Sequence, residues 1–268
     1  MPGSAVNCVR SDHPLADSRK AVADSFFGGR LLLHQPEGGH RCGTDAVLLA
    51  AAAPPDISGV VIDVGAGIGA AGLSLAISRP RAQVGLLESD RFVAGLARAN
   101  IAQNALSDRC CVFEADLLSP VSRREAGLRD ESAGLVITNP PFLDPGKVRL
   151  SPEPGKRRAR SMQGEGPSAL NAWIAASLAL LAPGGLFIMI HRPDALPVIL
   201  LSLSGRAGGI TVLPVHPRQQ TKARRILLRA KKGSRAPFAL APPLVLHDGM
   251  RFTAESDAIH RGKLTIAW

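Results

Sequence analysis

Val60-Val-Ile-Asp63-Val-Gly65-Ala-Gly67-Ile-Gly69-Ala-Ala-Gly72 decides the fold. Five residues, four of them aliphatic, make a strand too apolar to face water on either side. The glycines that follow let the backbone turn tightly and approach a ligand closely. The small residues from Ala70 onward then read as a helix running to Ser78. A buried strand, a glycine turn and a helix form the first half of a strand–helix–strand unit.

The same alternation continues along the chain. Gln83 to Glu88 is a second strand and Arg91 to Asn104 a helix, with Phe92, Leu96 and Ala99 on one face. Cys110 to Phe113, Leu135 to Thr138 and Leu186 to Ile190 are further strands, with a helix from Ala169 to Leu181 before the last. Ile210 to Val215 and Arg225 to Arg229 complete seven. Short apolar strands alternating with helices predict an α/β fold with a doubly wound, mainly parallel, Rossmann-like sheet. Upstream, Arg30 to Gln35 reads as a strand and Pro36-Glu-Gly-Gly39 as a turn. Thr44 is expected to cap a short helix from Asp45 to Ala53, stopped by Pro54-Pro55. The expected organisation is a flexible lead-in over 1–25 and a single domain over 26–268. Within that domain, 26–55 is an N-terminal extension and 56–268 the core.

Ligands in such sheets bind where the strands end, and the residues at those ends carry chemistry. Gly65, Gly67 and Gly69 follow the first strand, behind Asp63. Gly67-Ile-Gly69-Ala-Ala-Gly72 also satisfies the dinucleotide pattern GxGxxG. Glu88 ends the second strand, where a carboxylate can bond ribose hydroxyls. Together these predict a nucleoside cofactor and leave open whether it is a nicotinamide nucleotide or S-adenosylmethionine. Asp116 follows the third strand and either accepts from an adenine amine or caps the next turn.

The fourth strand ends in Asn139-Pro140-Pro141-Phe142, which discriminates between the two cofactors. Two prolines stiffen the turn and remove two backbone donors, leaving carbonyls free to point into a site. The Asn amide oxygen and a proline carbonyl can each accept one hydrogen of a planar amine. That tilts the amine and exposes its lone pair to an electrophilic methyl. Phe142 offers a face for base stacking, worth roughly 1–3 kcal/mol. A nicotinamide oxidoreductase would leave this turn without a purpose.

Composition narrows the partners. The chain has 268 residues, 46% hydrophobic, which excludes a disordered protein, and its net charge is +10. It has no Tyr and only 4% aromatics, so a repeated base-stacking platform is not expected. The cysteines Cys8, Cys42, Cys110 and Cys111 form no CxxC pair and no zinc pattern. No metal is expected, and the thiols read as reduced and cytoplasmic. Residues 166–190 lack charge, but Pro183-Gly184-Gly185 breaks the run, so no membrane span is expected. Nine basic and no acidic residues lie between Ala195 and His247, and six basic against two acidic between Leu143 and Gly164, leaving the remainder near −3. This points to a basic face and an anionic macromolecule. Lys156, Arg157, Arg158 and Arg160, in a Pro/Gly-rich loop, are the first candidate contacts. Lys222, Arg224 and Arg225 are the second, and Lys231 and Lys232 are expected to add further phosphate contacts.

Asp63 to Gly69, Glu88, Asp116 and the Asn139–Phe142 turn together resemble class I S-adenosylmethionine-dependent methyltransferases of planar exocyclic amines. Within these the chain is most similar to the bacterial tRNA adenine-N6 methyltransferases that act beside the anticodon of valine tRNA. That closer match rests on Phe27-Gly-Gly-Arg30, Gln35-Pro-Glu-Gly-Gly39, Arg41-Cys-Gly-Thr-Asp-Ala46, Trp173-Ile, Arg225-Ile, Leu244-Val-Leu-His247 and Arg251-Phe-Thr. Phe142 stands where that family often has Tyr; stacking survives and a hydroxyl is lost. The resemblance implies that the Asp63–Gly69 loop holds the methionine portion of the cofactor, Glu88 its ribose and Asp116 its adenine. It also implies that Thr44 and Asp45 border the cofactor pocket, that Asn139 through Phe142 hold the target amine, and that the partner is RNA, in particular tRNA. The alternatives are a protein glutamine-N5 methyltransferase and a non-catalytic RNA-binding protein on the same fold.

Overall fold

The protein is described by a computed structural model covering residues 21–37, 43–141 and 167–268. Its elements in chain order begin with β1 (Ala21–Phe26), β2 (Leu31–Pro36) and α1 (Thr44–Ala51). Three strand–helix pairs follow: β3 (Gly59–Val64) with α2 (Ala70–Ser78), β4 (Ala82–Glu88) with α3 (Arg91–Gln103), and β5 (Cys110–Glu114) with α4 (Pro120–Glu125). Next come β6 (Ala133–Thr138), α5 (Pro167–Leu180), β7 (Leu181–His191) and α6 (Leu196–Leu203). The chain closes with β8 (Ala207–Arg218), β9 (Arg225–Lys232), β10 (Ala239–Leu240), β11 (Leu244–Asp248), β12 (Arg251–Phe252) and α7 (Ala254–His260).

The seven expected strands lie side by side in the order β5-β4-β3-β6-β7-β9-β8. All are parallel except β9, which is antiparallel to both its neighbours. Beyond β8 the sheet gains β10, β11 and β12, which the sequence reading did not anticipate and which bring it to ten strands. These three are only two to five residues long, too short to show a periodic pattern.

Both faces of the central strands are buried, as their continuous apolar runs require. On one face, Val61, Leu135, Ile137 and Ile188 pack with Leu48 of α1, Leu73 of α2 and Leu96 of α3. On the other, Ile62, Val64, Val136, Phe187 and Met189 pack with Ile174 and Leu178 of α5 and Ile199 of α6. Successive strand residues point to opposite faces, so each strand feeds both clusters. The neighbours β4 and β6 flank β3 on opposite sides, and the chain winds outward from β3 in both directions. β3 is therefore the switch point at which a crevice opens.

The amino-terminal region differs from expectation. β1 begins at Ala21, inside the segment expected as a lead-in, and pairs antiparallel with β2. The Phe27-Gly-Gly-Arg30 block is the turn between them, with Phe27, Gly28 and Gly29 all at positive φ. This hairpin docks through two asparagines following one face of α3. Asn104 exchanges hydrogen bonds with the backbone of Leu32 (3.0 and 2.8 Å), and Asn100 does so with that of His34 (2.7 and 3.2 Å). At the other terminus, the Ile266 amide donates to Ala51 O (2.9 Å) and Trp268 Nε1 to Ala52 O (2.9 Å), so the tail closes over the end of α1. Cys110 is a buried free thiol, pushed up to about 12 by burial.

Candidate active site

The residues singled out at strand ends converge on the carboxyl edge of the sheet. Val64 pairs with Thr138 across β3 and β6. The glycine loop and the Asn139 turn therefore leave neighbouring strands at the same level. Gly65, Gly67 and Gly69 all have positive φ, a region that residues with side chains rarely adopt. Gly65 is further constrained by Trp173. A Cβ there would lie 2.8 and 2.9 Å from the indole Cζ2 and Cη2.

Glu88 ends β4 beneath this loop. Its Oε2 accepts from the Gly67 amide (3.0 Å), and its Oε1 from the amides of Ser89 and Asp90 (2.8 Å each). A carboxylate offers about four lone-pair sites, so one stays available to a ribose hydroxyl. Asp90 then caps α3 by accepting from Phe92 and Val93. Asp63 sits deeper, 2% exposed, with Oδ2 accepting from the Gly72 amide (2.8 Å). Burial raises its carboxyl from 3.8 to about 7, the Gly72 bond opposes this, and the nearby Glu88 charge adds to it. The structure thus places Asp63 under the loop, tying it to α2. A Cβ at Gly72 would press on the Leu86 side chain and crowd the same carboxylate. Asp116 is half-buried, and its Oδ1 accepts from the Leu118 amide (2.9 Å), which leaves its other oxygen for an adenine amine.

On β6's side, Asn139 is half-buried and Pro140 buried. Asn139 Oδ1 is shielded from solvent and has no hydrogen-bond partner among the described residues. A buried acceptor left unpaired costs about 1–3 kcal/mol. It is therefore an orphan that a donor brought by a ligand would satisfy. Phe142, Lys156, Arg157, Arg158 and Arg160 lie outside the described residues.

The amino-terminal block reaches the same edge. Thr44 is the first residue of α1, and Gly43 occupies the cap position without a side-chain bond, so the expected Thr44 cap is not formed. Its hydroxyl meets His260 Nε2 (3.2 Å) instead. Asp45 Oδ2 accepts from Arg225 Nε (2.8 Å), an ion pair joining α1 to the start of β9. Arg225, expected as a phosphate contact, is thus held by a carboxylate. His191, buried at the end of β7, is pushed below the ordinary histidine range, chiefly by burial.

Lys222 and Arg224 are exposed on the β8–β9 turn, with Arg218 beside them. That turn is braced by Thr221, whose hydroxyl donates to Arg218 O (2.6 Å), and by Arg218 Nε donating to Gly249 O (3.2 Å). Lys231 and Lys232 are not on this turn. They lie at the far end of β9, which Arg225 begins. There Lys232 pairs with Glu131 (3.1 Å) and donates to Leu181 O (2.7 Å). Sequence reading also missed Thr138 and Asn100. Asn100 is wholly buried on an otherwise apolar helix face, a detectable signal. Its Nδ2 donates to Ile68 O in the glycine loop (3.0 Å), as well as holding β2.

The strand order, the reversed β9, the three positive-φ glycines and the Glu88 carboxylate beneath them define a class I S-adenosylmethionine-dependent methyltransferase. The methyltransferase small domain family model matches residues 41–151. The chain is 33% identical over 177 residues to the tRNA1(Val) (adenine(37)-N6)-methyltransferase of Porphyromonas gingivalis, covering 65% of this chain and 67% of that one. It is 31% identical over 195 residues to the protein of the same name from Shewanella amazonensis, covering 71% and 77%. The chain belongs to this tRNA adenine-N6 methyltransferase family. Among solved structures, a predicted O-methyltransferase of Agrobacterium tumefaciens aligns with a TM-score of 0.70 at 32% identity, over 84% of this chain and 99% of that one. A Thermus thermophilus 16S rRNA methyltransferase, solved with S-adenosylmethionine and guanosine, shares the fold at 23% identity. Its TM-score is 0.55, over 83% of this chain and 53% of that one. Among the described residues, no cluster of metal ligands occurs and no helix is long and apolar enough to cross a membrane.

Proposed function

We propose that this protein methylates the N6 amine of adenine in tRNA, at adenine 37 of valine tRNA as its relatives' name specifies, and does so in the cytoplasm. The observation that carries the reading is Asn139 Oδ1, a buried acceptor without a donor beside a glycine loop. When bound, S-adenosylmethionine supplies an electrophilic methyl group. Gly65, Gly67 and Gly69 would hold its methionine portion, Glu88 its ribose and Asp116 its adenine. Asn139 accepts one N–H of the target amine and the carbonyl of Pro140 the other. Holding both hydrogens out of the ring plane turns the nitrogen lone pair towards the methyl group. Phe142 would supply the stacking face. No strong side-chain base is required, since the amine sheds its proton only once its nitrogen has become cationic, and water can then take it.

The exposed cations Arg218, Lys222 and Arg224 support an RNA substrate, because phosphate contacts position a nucleic acid. The test is mass spectrometry of tRNA nucleosides from cells with and without the protein. Loss of N6-methyladenosine is expected. Unchanged tRNA with a lost methylglutamine in a protein would overturn the reading in favour of amide methylation. In the purified enzyme, Asn139→Ala should cut turnover by about 10²–10³-fold, the scale of losing one aligned polar contact to the reacting group. Affinity for S-adenosylhomocysteine should stay within about threefold, by calorimetry.

A further inference from the structure

Trp173 lies on α5, far along the chain from the Asn139 turn, yet it touches both halves of the candidate site. Its Nε1 donates to Thr138 Oγ1 (3.0 Å), and Thr138 Oγ1 donates to Val64 O (2.8 Å). Thr138 is wholly buried and directly precedes Asn139, while Val64 directly precedes Gly65. The edge of the same indole fills the space beside the Gly65 Cα that a Cβ would need. One ring and one hydroxyl therefore join the last residue of the cofactor strand to the last residue of the amine strand. The β3–β6 ladder ends at this pair. Beyond it, one chain enters a glycine loop and the other a proline turn.

We propose that Trp173 and Thr138 are positioning residues that fix the separation between the glycine loop and the Asn139 turn, and so between methyl donor and amine. The inference rests on the methyltransfer reading of this site. Reacting atoms need to be held about 3–3.5 Å apart, and a misplacement of about 1 Å can cost about 10²-fold in rate. A hydroxyl that receives one hydrogen bond and gives another is suited to this, since its direction is set from both sides. Core packing alone would explain a half-buried aromatic but not the directed N–H to O–H to carbonyl chain.

Thr138→Val keeps the shape and removes the hydroxyl, whereas Thr138→Ser keeps the hydroxyl and removes a methyl. Trp173→Phe keeps an aromatic ring and removes the donor. With tRNA as substrate, Thr138→Val and Trp173→Phe should each lower kcat by about tenfold. KM and S-adenosylhomocysteine affinity should stay within about threefold. Thr138→Ser should restore kcat to within about twofold of the parent. The double variant should be no slower than the slower single variant, because the two substitutions break one shared bond. If Thr138→Ser is as impaired as Thr138→Val, packing and not the hydroxyl matters, and the proposal fails.

A second measurement needs no RNA. The chain has two tryptophans and no tyrosine, so Trp268→Phe leaves Trp173 as the only indole. Its emission should shift when S-adenosylhomocysteine binds, and Thr138→Val should change the size of that shift. An emission that ignores a ligand seen to bind by calorimetry overturns the proposal. A Trp268→Phe enzyme that binds the ligand with a Trp173 response, in a background whose parent leaves tRNA unmethylated, overturns the substrate reading alone.

Discussion

The two halves of the sheet's carboxyl edge are built in opposite ways. On the β3-β4-β5 side, the site's acidic groups are carboxyls tied down by backbone amides: Asp63 by Gly72, Glu88 by Gly67, Ser89 and Asp90, and Asp116 by Leu118. On the far side, the β8–β9 turn presents the exposed cations Arg218, Lys222 and Arg224. A cofactor whose shape is the same in every binding event suits a rigid site whose acceptors are already oriented. A large anionic substrate suits exposed side chains on a braced turn, where charge draws it in and no single contact dominates. Asn139 stands at the boundary, at the end of the strand between β3 and β7, and its unpaired oxygen belongs to neither set.

The sharpest way to break the comparison is on the rigid side. Gly65→Ala forces a side chain into positive φ and against the Trp173 ring. S-adenosylhomocysteine affinity should fall by about 100-fold or more, with a loss of stability of about 2–4 kcal/mol from strain and overpacking. Calorimetry and urea unfolding measure both, and an alanine variant that binds normally would show that the loop is less constrained than its geometry says. On the exposed side the loss should be smaller and of another kind. Neutralising Arg218, Lys222 and Arg224 together should raise KM for tRNA by about tenfold and flatten its salt dependence, while cofactor affinity holds. Lys231→Ala with Lys232→Ala is the control, since those residues lie at the opposite end of β9. An equal effect from the control pair would remove the distinction between the two ends.

The sequence was most legible where one local pattern settles one element. β3 through β6 are apolar runs closed by glycines, prolines or charged residues, and each falls close to where the apolar run places it; β7 instead opens at Leu181, ahead of the expected Leu186, and carries Pro183-Gly184-Gly185, expected as a turn, within the strand as an irregularity in its pairing with β6. The candidate site was legible for the same reason: Gly65, Glu88, Asp116 and Asn139 all stand at or just beyond a strand end. What could not be read depends on contacts between distant segments. Asp45 lies on α1 and Arg225 opens β9, so nothing near Arg225 shows that its guanidinium is engaged. Lys231 and Lys232 read as further phosphate contacts, and nothing local shows that an extended strand carries them to the opposite end of β9 from Arg225. Asn100 is intermediate. A buried polar residue on an apolar helix face announces a partner, but not that the partners are β2 and the glycine loop.

The smallest expected effect lies within the rigid half and tests what its burial does. Asp63 has its carboxyl raised from 3.8 to about 7 by burial, so between these values the folded state holds a proton that the unfolded state has released. Stability at this site is therefore fully present below about pH 4 and declines as pH rises towards 7. Asp63→Asn removes the charge and keeps an oxygen able to accept from Gly72. The variant should match the parent near pH 4.5 and gain on it as pH increases, reaching about 1–2 kcal/mol at pH 8. That is less than the full linkage limit of about 4 kcal/mol, since local relaxation softens a buried charge. Urea unfolding at both pH values measures the difference. A gap that does not change with pH would mean that the carboxyl is already ionised in the folded protein at low pH, held by the Gly72 amide more firmly than its burial opposes.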